Sequence, residues 1–200
     1  MYFCRENGEL FLLEVMMRQA PGFRPRKSGI RIMRRNLTMD EVFGVKGKEE
    51  MRIRMERYDV PERIRKDVSG RSSEGELFRD GAHRERFMKV LAGPCQRQMQ
   101  GNGRFLAAVY LLSCDDWLWE RTKNQVTDLG ILFDDASVQG ADAERKVLYH
   151  SAKEIYTGIQ FISLEQMVDS KTVSDEVLSL IVSAYLLRVA GVSLAKGVKK

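Results

Sequence analysis

The chain has 200 residues, of which 44% are apolar and 30% charged, and its formal net charge is +5. These values exclude a fibrous or wholly disordered protein and leave enough apolar material for a sizeable core. A pI of 9.1 permits contact with nucleic acid, an anionic surface or an acidic protein, and selects none of them.

The positive charge sits at the N-terminal end. Residues 1–75 hold 17 Lys/Arg against 12 Asp/Glu, whereas residues 76–200 hold 16 of each. Gly8 to Gln19 can form a helix carrying Leu10, Leu13, Val15, Met16 and Met17, which Pro21, Gly22 and Pro25 end in an irregular loop around Phe23. Arg5, Glu6, Glu9 and Glu14 interrupt the first apolar run, so no signal peptide is expected. From Val15 to Met39 there are seven basic residues and no acid: Arg18, Arg24, Arg26, Lys27, Arg31, Arg34 and Arg35. Interleaved with apolar residues and dominated by arginine, which contacts phosphate in bidentate fashion, they are the candidate nucleic-acid-binding residues.

Thr38-Met-Asp-Glu41 matches a capping box. Met51, Ile53, Met55, Tyr58 and Val60 begin with period two and predict a strand. Followed by a short helix from Pro61 through Val68, this faintly resembles a ribbon-helix-helix unit, although its second helix is missing. The small, polar run Ser69 to Gly75 reads as a linker. The expected organisation is a basic, partly ordered segment 1–68, a linker 69–75, an α-helical domain 76–191 and a frayed tail 192–200.

The C-terminal part reads as about five helices with a bundle-like core, so the fold class is mainly α with a basic, partly irregular N-terminal arm. Asp80 caps a helix to Ala92 that presents Phe87, Val90 and Leu91, and Gly93-Pro94 stops it. Gln96 to Gly103 reads as a loop. Arg104 to Cys114 is almost wholly apolar and must be buried on most sides. Asp115-Asp116 then restarts or kinks the helix. Asp142 opens a helix with Val147, Leu148, Ser151 and Ile155 at helical spacing, and Gly158 ends it. Ser163-Leu-Glu-Gln166 is a second capping box, and Ser174-Asp-Glu starts the last long helix, closed by Gly191. Its segment Val177–Ala190 contains Ser179, Ser183 and Arg188 and is shorter than a membrane span, so it reads as a buried helix.

No motif commits the chain to a chemistry. Cys4, Cys95 and Cys114 are odd in number and widely spaced, which fits free thiols in a reducing cytoplasm. His83 and His150 lack ligand spacing and read as surface or satisfied-core residues; no metal or cofactor is implied. Asp115-Asp116 and Asp134-Asp135 are the acidic pairs on which a small hydrolase would depend. Adjacent helical residues diverge, however, and caps or solvated loops explain both pairs. Gly44-Val-Lys-Gly-Lys48 lacks phosphate-loop spacing. Phe105, Tyr110, Trp117 and Trp119 read as core rather than as an aromatic platform.

Leu77-Phe-Arg-Asp-Gly-Ala-His-Arg-Glu-Arg-Phe87, with Phe105-Leu-Ala-Ala-Val-Tyr-Leu-Leu-Ser-Cys-Asp-Asp-Trp-Leu-Trp119, resembles an uncharacterised family of small helical proteins carried by bacterial prophages and integrative elements. The resemblance covers residues 76–191. It implies an α-helical domain of a mobile element with no known catalytic residues. Residues 1–75 depart from the family pattern, as a fused module or as a coding extension upstream of Met51 or Met55. The expectation is a cytoplasmic, non-enzymatic accessory protein that binds a protein partner and no membrane. Nucleic-acid binding through residues 18–35 is the alternative, and the hydrolase is the third reading.

Overall fold

A computed structural model of the protein describes residues 38–44, 48–57, 60–70 and 77–191. The chain divides into two compact units, Met1–Asn36 and Leu37–Lys200, and all described residues belong to the second. They form ten α-helices and no strand, with an isolated antiparallel bridge between Val126 and Ile131. The helices are α1 (Met39–Phe43), α2 (Lys48–Arg57), α3 (Glu62–Gly70), α4 (Gly81–Ala92), α5 (Gln96–Gly101), α6 (Gly103–Leu112), α7 (Asp116–Thr122), α8 (Ala143–Thr157), α9 (Leu164–Val168) and α10 (Asp175–Ala190). No helix among the described residues is long and apolar enough to cross a membrane.

The caps written in the sequence set most boundaries. Asp80 accepts from the His83 N–H, Asp115 from Leu118 and Asp142 from Arg145. Both capping boxes form in both directions: Thr38 with Glu41, and Ser163 with Gln166. Each satisfies donors that a helix N-terminus leaves exposed. Gly158 closes α8 with a left-handed φ of +76°.

The centre of the molecule is α6, whose residues Phe105 to Leu112 are all fully buried. It packs chiefly on α8 and α10. A Cβ at Gly103 would lie 2.2 Å from the Arg188 carbonyl oxygen, so the absence of a side chain lets the start of α6 meet the end of α10. In turn α10 is buried on a second side, where α1 and α3 cover it. Phe43 stacks on Tyr185 with ring centroids 5.7 Å apart. Arg63 on α3 donates to the Val168 carbonyl at 2.9 Å, the Val173 carbonyl at 2.9 Å and the Asp175 carboxylate.

Three expectations are corrected. The segment expected as a strand, Met51–Val60, is helical through Arg57: Met51 and Met55, one turn apart, face the core while Ile53 is exposed. Period two over three residues was therefore an accident of one outward isoleucine, and no ribbon-helix-helix strand exists. Gln96 to Gly101 is helix α5 rather than loop, held by the fully buried Met99. The division expected at 69–75 does not separate two cores. Ser69 and Gly70 belong to α3, and the buried side chains of 38–70 join the same cluster as those of 77–191. Residues 71–76, the helix expected at 8–19 and the expected tail lie outside the described residues.

Met39, Val42, Phe43, Met51, Met55, Val60 and Ile64 are all buried. At about 1.5–3 kcal/mol for each buried side chain, these seven rival the net stability of a whole domain, about 5–15 kcal/mol. A chain beginning at Glu76 should therefore bind 8-anilinonaphthalene-1-sulfonate and lose cooperative urea unfolding. Unfolding like that of the full chain would show that α1–α3 are peripheral.

Candidate interaction surface

The polar residues that sequence singles out are mostly absorbed by the fold. His83 is fully buried between α4 and α6. Its Nδ1 faces the Arg79 backbone N–H at 3.1 Å, which can only donate, and its Nε2 faces the Tyr110 carbonyl at 2.9 Å, which can only accept. The ring is therefore the neutral Nε2–H tautomer. Phe78, Phe87 and Tyr110 enclose it. Burial, opposed by the bond to Tyr110 and assisted by the nearby Arg86 charge, brings its pKa down from 6.5 to about 4.

The acidic pairs diverge. Asp115 caps α7 and receives Arg145 Nε at 3.0 Å and Nη2 at 3.3 Å. Burial works to raise its carboxyl, but the Arg145 and Leu118 hydrogen bonds outweigh burial and hold it below the usual range. Asp116 turns the other way, to Arg86 on α4. Asp134 accepts from the Ala136 N–H, and Asp135 pairs with Lys153 at 2.7 Å. Among the described residues no group of three or more His, Cys, Asp or Glu side chains converges as a metal site would require. Burial pushes the Cys114 thiol up to about 12 and raises that of Cys95, which suppresses the reactive thiolate at neutral pH. Phe105 and Tyr110 are buried. Trp117 lies at the edge between Arg121 at 4.1 Å and Arg145 at 5.3 Å, so the four aromatics make no common platform.

The fold also leaves a group of large apolar side chains outside, on two loops beside the end of α8. Leu129 is 90% exposed, Leu132 72%, Ile159 61% and Phe161 40%. These loops are tightly bonded. In the first, the Thr127 N–H and hydroxyl both donate to the Gly130 carbonyl at 2.9 Å, and the Leu132 N–H donates to Gln125 at 3.0 Å. The Ile131 N–H donates to the Tyr156 hydroxyl at 3.3 Å, and a Cβ at Gly130 would lie 2.6 Å from that oxygen. In the second, buried Glu154 accepts from the Phe161 and Ile162 N–H groups at 3.0 and 3.3 Å.

Lys153 joins the two loops. Its ammonium pairs with Asp135 and lies 4.7 Å from the Phe161 ring centroid, which also stacks on His150. Burial lowers the His150 pKa. Leu129, Leu132, Ile159, Phe161 and the anchoring Glu154 are absent from the sequence-based candidates. One signal was available: Asn124 to Glu144 holds five acids and no Lys or Arg. The candidate phosphate-binding residues Arg18, Arg24, Arg26, Lys27, Arg31, Arg34 and Arg35 lie outside the described residues, as do Cys4 and residues 45–47 of the glycine-lysine run. No family model, curated protein or solved structure matches this chain.

Because His83 binds a proton more weakly folded than unfolded, stability present above pH 6.5 is lost as pH falls from 6.5 towards 4. The His83 contribution to that loss should reach about 3 kcal/mol. Its ring resonances should report the neutral form at pH 5.5 by NMR, and His83→Gln should show a shallower decline of urea midpoint over this interval. A ring that titrates near 6.5 would refute the assignment.

Proposed function

We propose that this is a cytoplasmic, non-enzymatic accessory protein that acts by binding another protein through its helical unit. The observation that carries this reading is the exposure of Leu129, Leu132, Ile159 and Phe161 on loops fixed by hydrogen bonds to α8. Scattered apolar side chains are ordinary on a protein surface, but a group of them on ordered backbone is the usual mark of an interaction site. The free, buried state of Cys95 and Cys114 supports a reducing compartment. The setting in a bacterial mobile element is supported by the sequence resemblance of residues 76–191 alone. In affinity purification from the host cell, the full chain should retain a protein that Leu129→Ser/Leu132→Ser releases. Retention by both at equal yield would place the interaction elsewhere.

A second reading concerns the acid-free segment with its seven basic residues between Val15 and Met39. Its composition supports binding of a nucleic-acid backbone. If all seven meet phosphates of duplex DNA, log K should fall against log salt with a slope of roughly −6. Fluorescence anisotropy would measure it, and a salt-independent affinity would remove this reading.

A further inference from the structure

The loop that displays Leu129 and Leu132 also has a definite charge. Asp128, Asp134 and Asp135 are exposed around the two leucines, and no Lys or Arg occurs from Asn124 to Glu144. Asp135 is neutralised by Lys153. Asp128 and Asp134 have no ion pair with any described residue; the Asp134 carboxylate caps the turn that follows it. The opposite border differs. The loop Gly158 to Leu164 has no charged residue, and the Arg104 guanidinium lies against Gly158. The surface is therefore polarised, with two unneutralised carboxylates at the leucine end and a cation at the other.

We propose that the 127–135 loop docks a basic, apolar segment of a partner protein, its apolar side chains covering Leu129 and Leu132 and its Lys or Arg groups meeting Asp128 and Asp134. This rests on the protein-binding reading above and adds the partner's chemistry. An acidic segment would bring like charge against two carboxylates in a partly desolvated contact, which is unfavourable. The loop is already ordered by its bonds to Tyr156, Gln125 and, through the Asp128 carbonyl, Gln98 at 3.1 Å. Little ordering entropy is then lost on the protein's side when a segment docks.

The test uses the full chain and two fluorescent amphipathic peptides with one leucine pattern, one bearing lysines and the other glutamates. Anisotropy should show the lysine peptide binding at least about tenfold tighter, and more weakly as salt rises. Leu129→Ser/Leu132→Ser should weaken it about tenfold or more. Asp128→Asn/Asp134→Asn should flatten its salt dependence while keeping an amide able to cap the turn. Both variants should keep the parent urea midpoint, because the altered groups face solvent. Equal binding of the two peptides, lost in the leucine variant, would overturn the charge preference and leave the protein-binding reading intact. Lysine-peptide binding unchanged in both variants would overturn the docking surface itself. A dimer in sedimentation that the leucine variant abolishes would assign the surface to a second copy instead.

Discussion

The constraint from which the structure follows is the complete burial of α6. A helix projects side chains all round its axis, so eight consecutive buried residues, Phe105 to Leu112, need neighbours on every side. Each side chain contributes in proportion to the apolar area removed from water, and so contributes most when covered completely. That requirement places α8 and α10 directly against α6, with α4 closing over Tyr110. The polar groups on α6 are settled by the same neighbours. The Tyr110 hydroxyl donates to the Leu77 carbonyl, and the Tyr110 carbonyl accepts from both His83 and Ser113.

The demand then passes outward one layer. Because α10 faces α6 with one side and is apolar on the other, something must cover Tyr185 and its neighbours. Helices α1 and α3 do so, with Phe43 against Tyr185 and Arg63 fastening α3 to the turn before α10. The guanidinium suits this task because its planar set of donors reaches two carbonyls and a carboxylate at once. A charge boundary in the sequence therefore need not be a folding boundary. Residues 38–70 belong to the unit that begins at Leu37.

Legibility followed the range of the interactions. Asp80, Asp115, Asp142, Ser163 and Ser174 cap their own helices within three residues, so pattern alone located those starts. The buried character of α6 and α10 was legible because each run exceeds what one apolar face can hold. What escaped depends on partners beyond the three-residue reach of a cap. Met51 and Met55 read as alternation until α1 supplies the surface that they bury against, and one buried Met99 converts a Gln/Gly-rich stretch into helix. In the sequence Glu154 is one more charge on an amphipathic helix. Its role appears only when the 158–162 loop returns to present two N–H groups to it. The exposed leucines escaped for the opposite reason, since an apolar residue in sequence reads as core by default.

That default is where the functional argument turns. Ile53 and Val189 are also exposed, but singly and on helices, where the backbone is fixed whatever the side chain does. Leu129 and Leu132 sit instead on a turn that its own side chain–backbone bonds and Tyr156 hold in place. Ile131 between them is buried, so the turn has one inward and two outward apolar positions. An outward leucine gains almost nothing from folding, since its surface stays in water. The bonds that order the turn would form equally around serine or threonine at those two positions. Folding of the described residues thus accounts for the frame and for Ile131, but not for the leucines the frame displays; only a contact beyond those residues removes their surface from water.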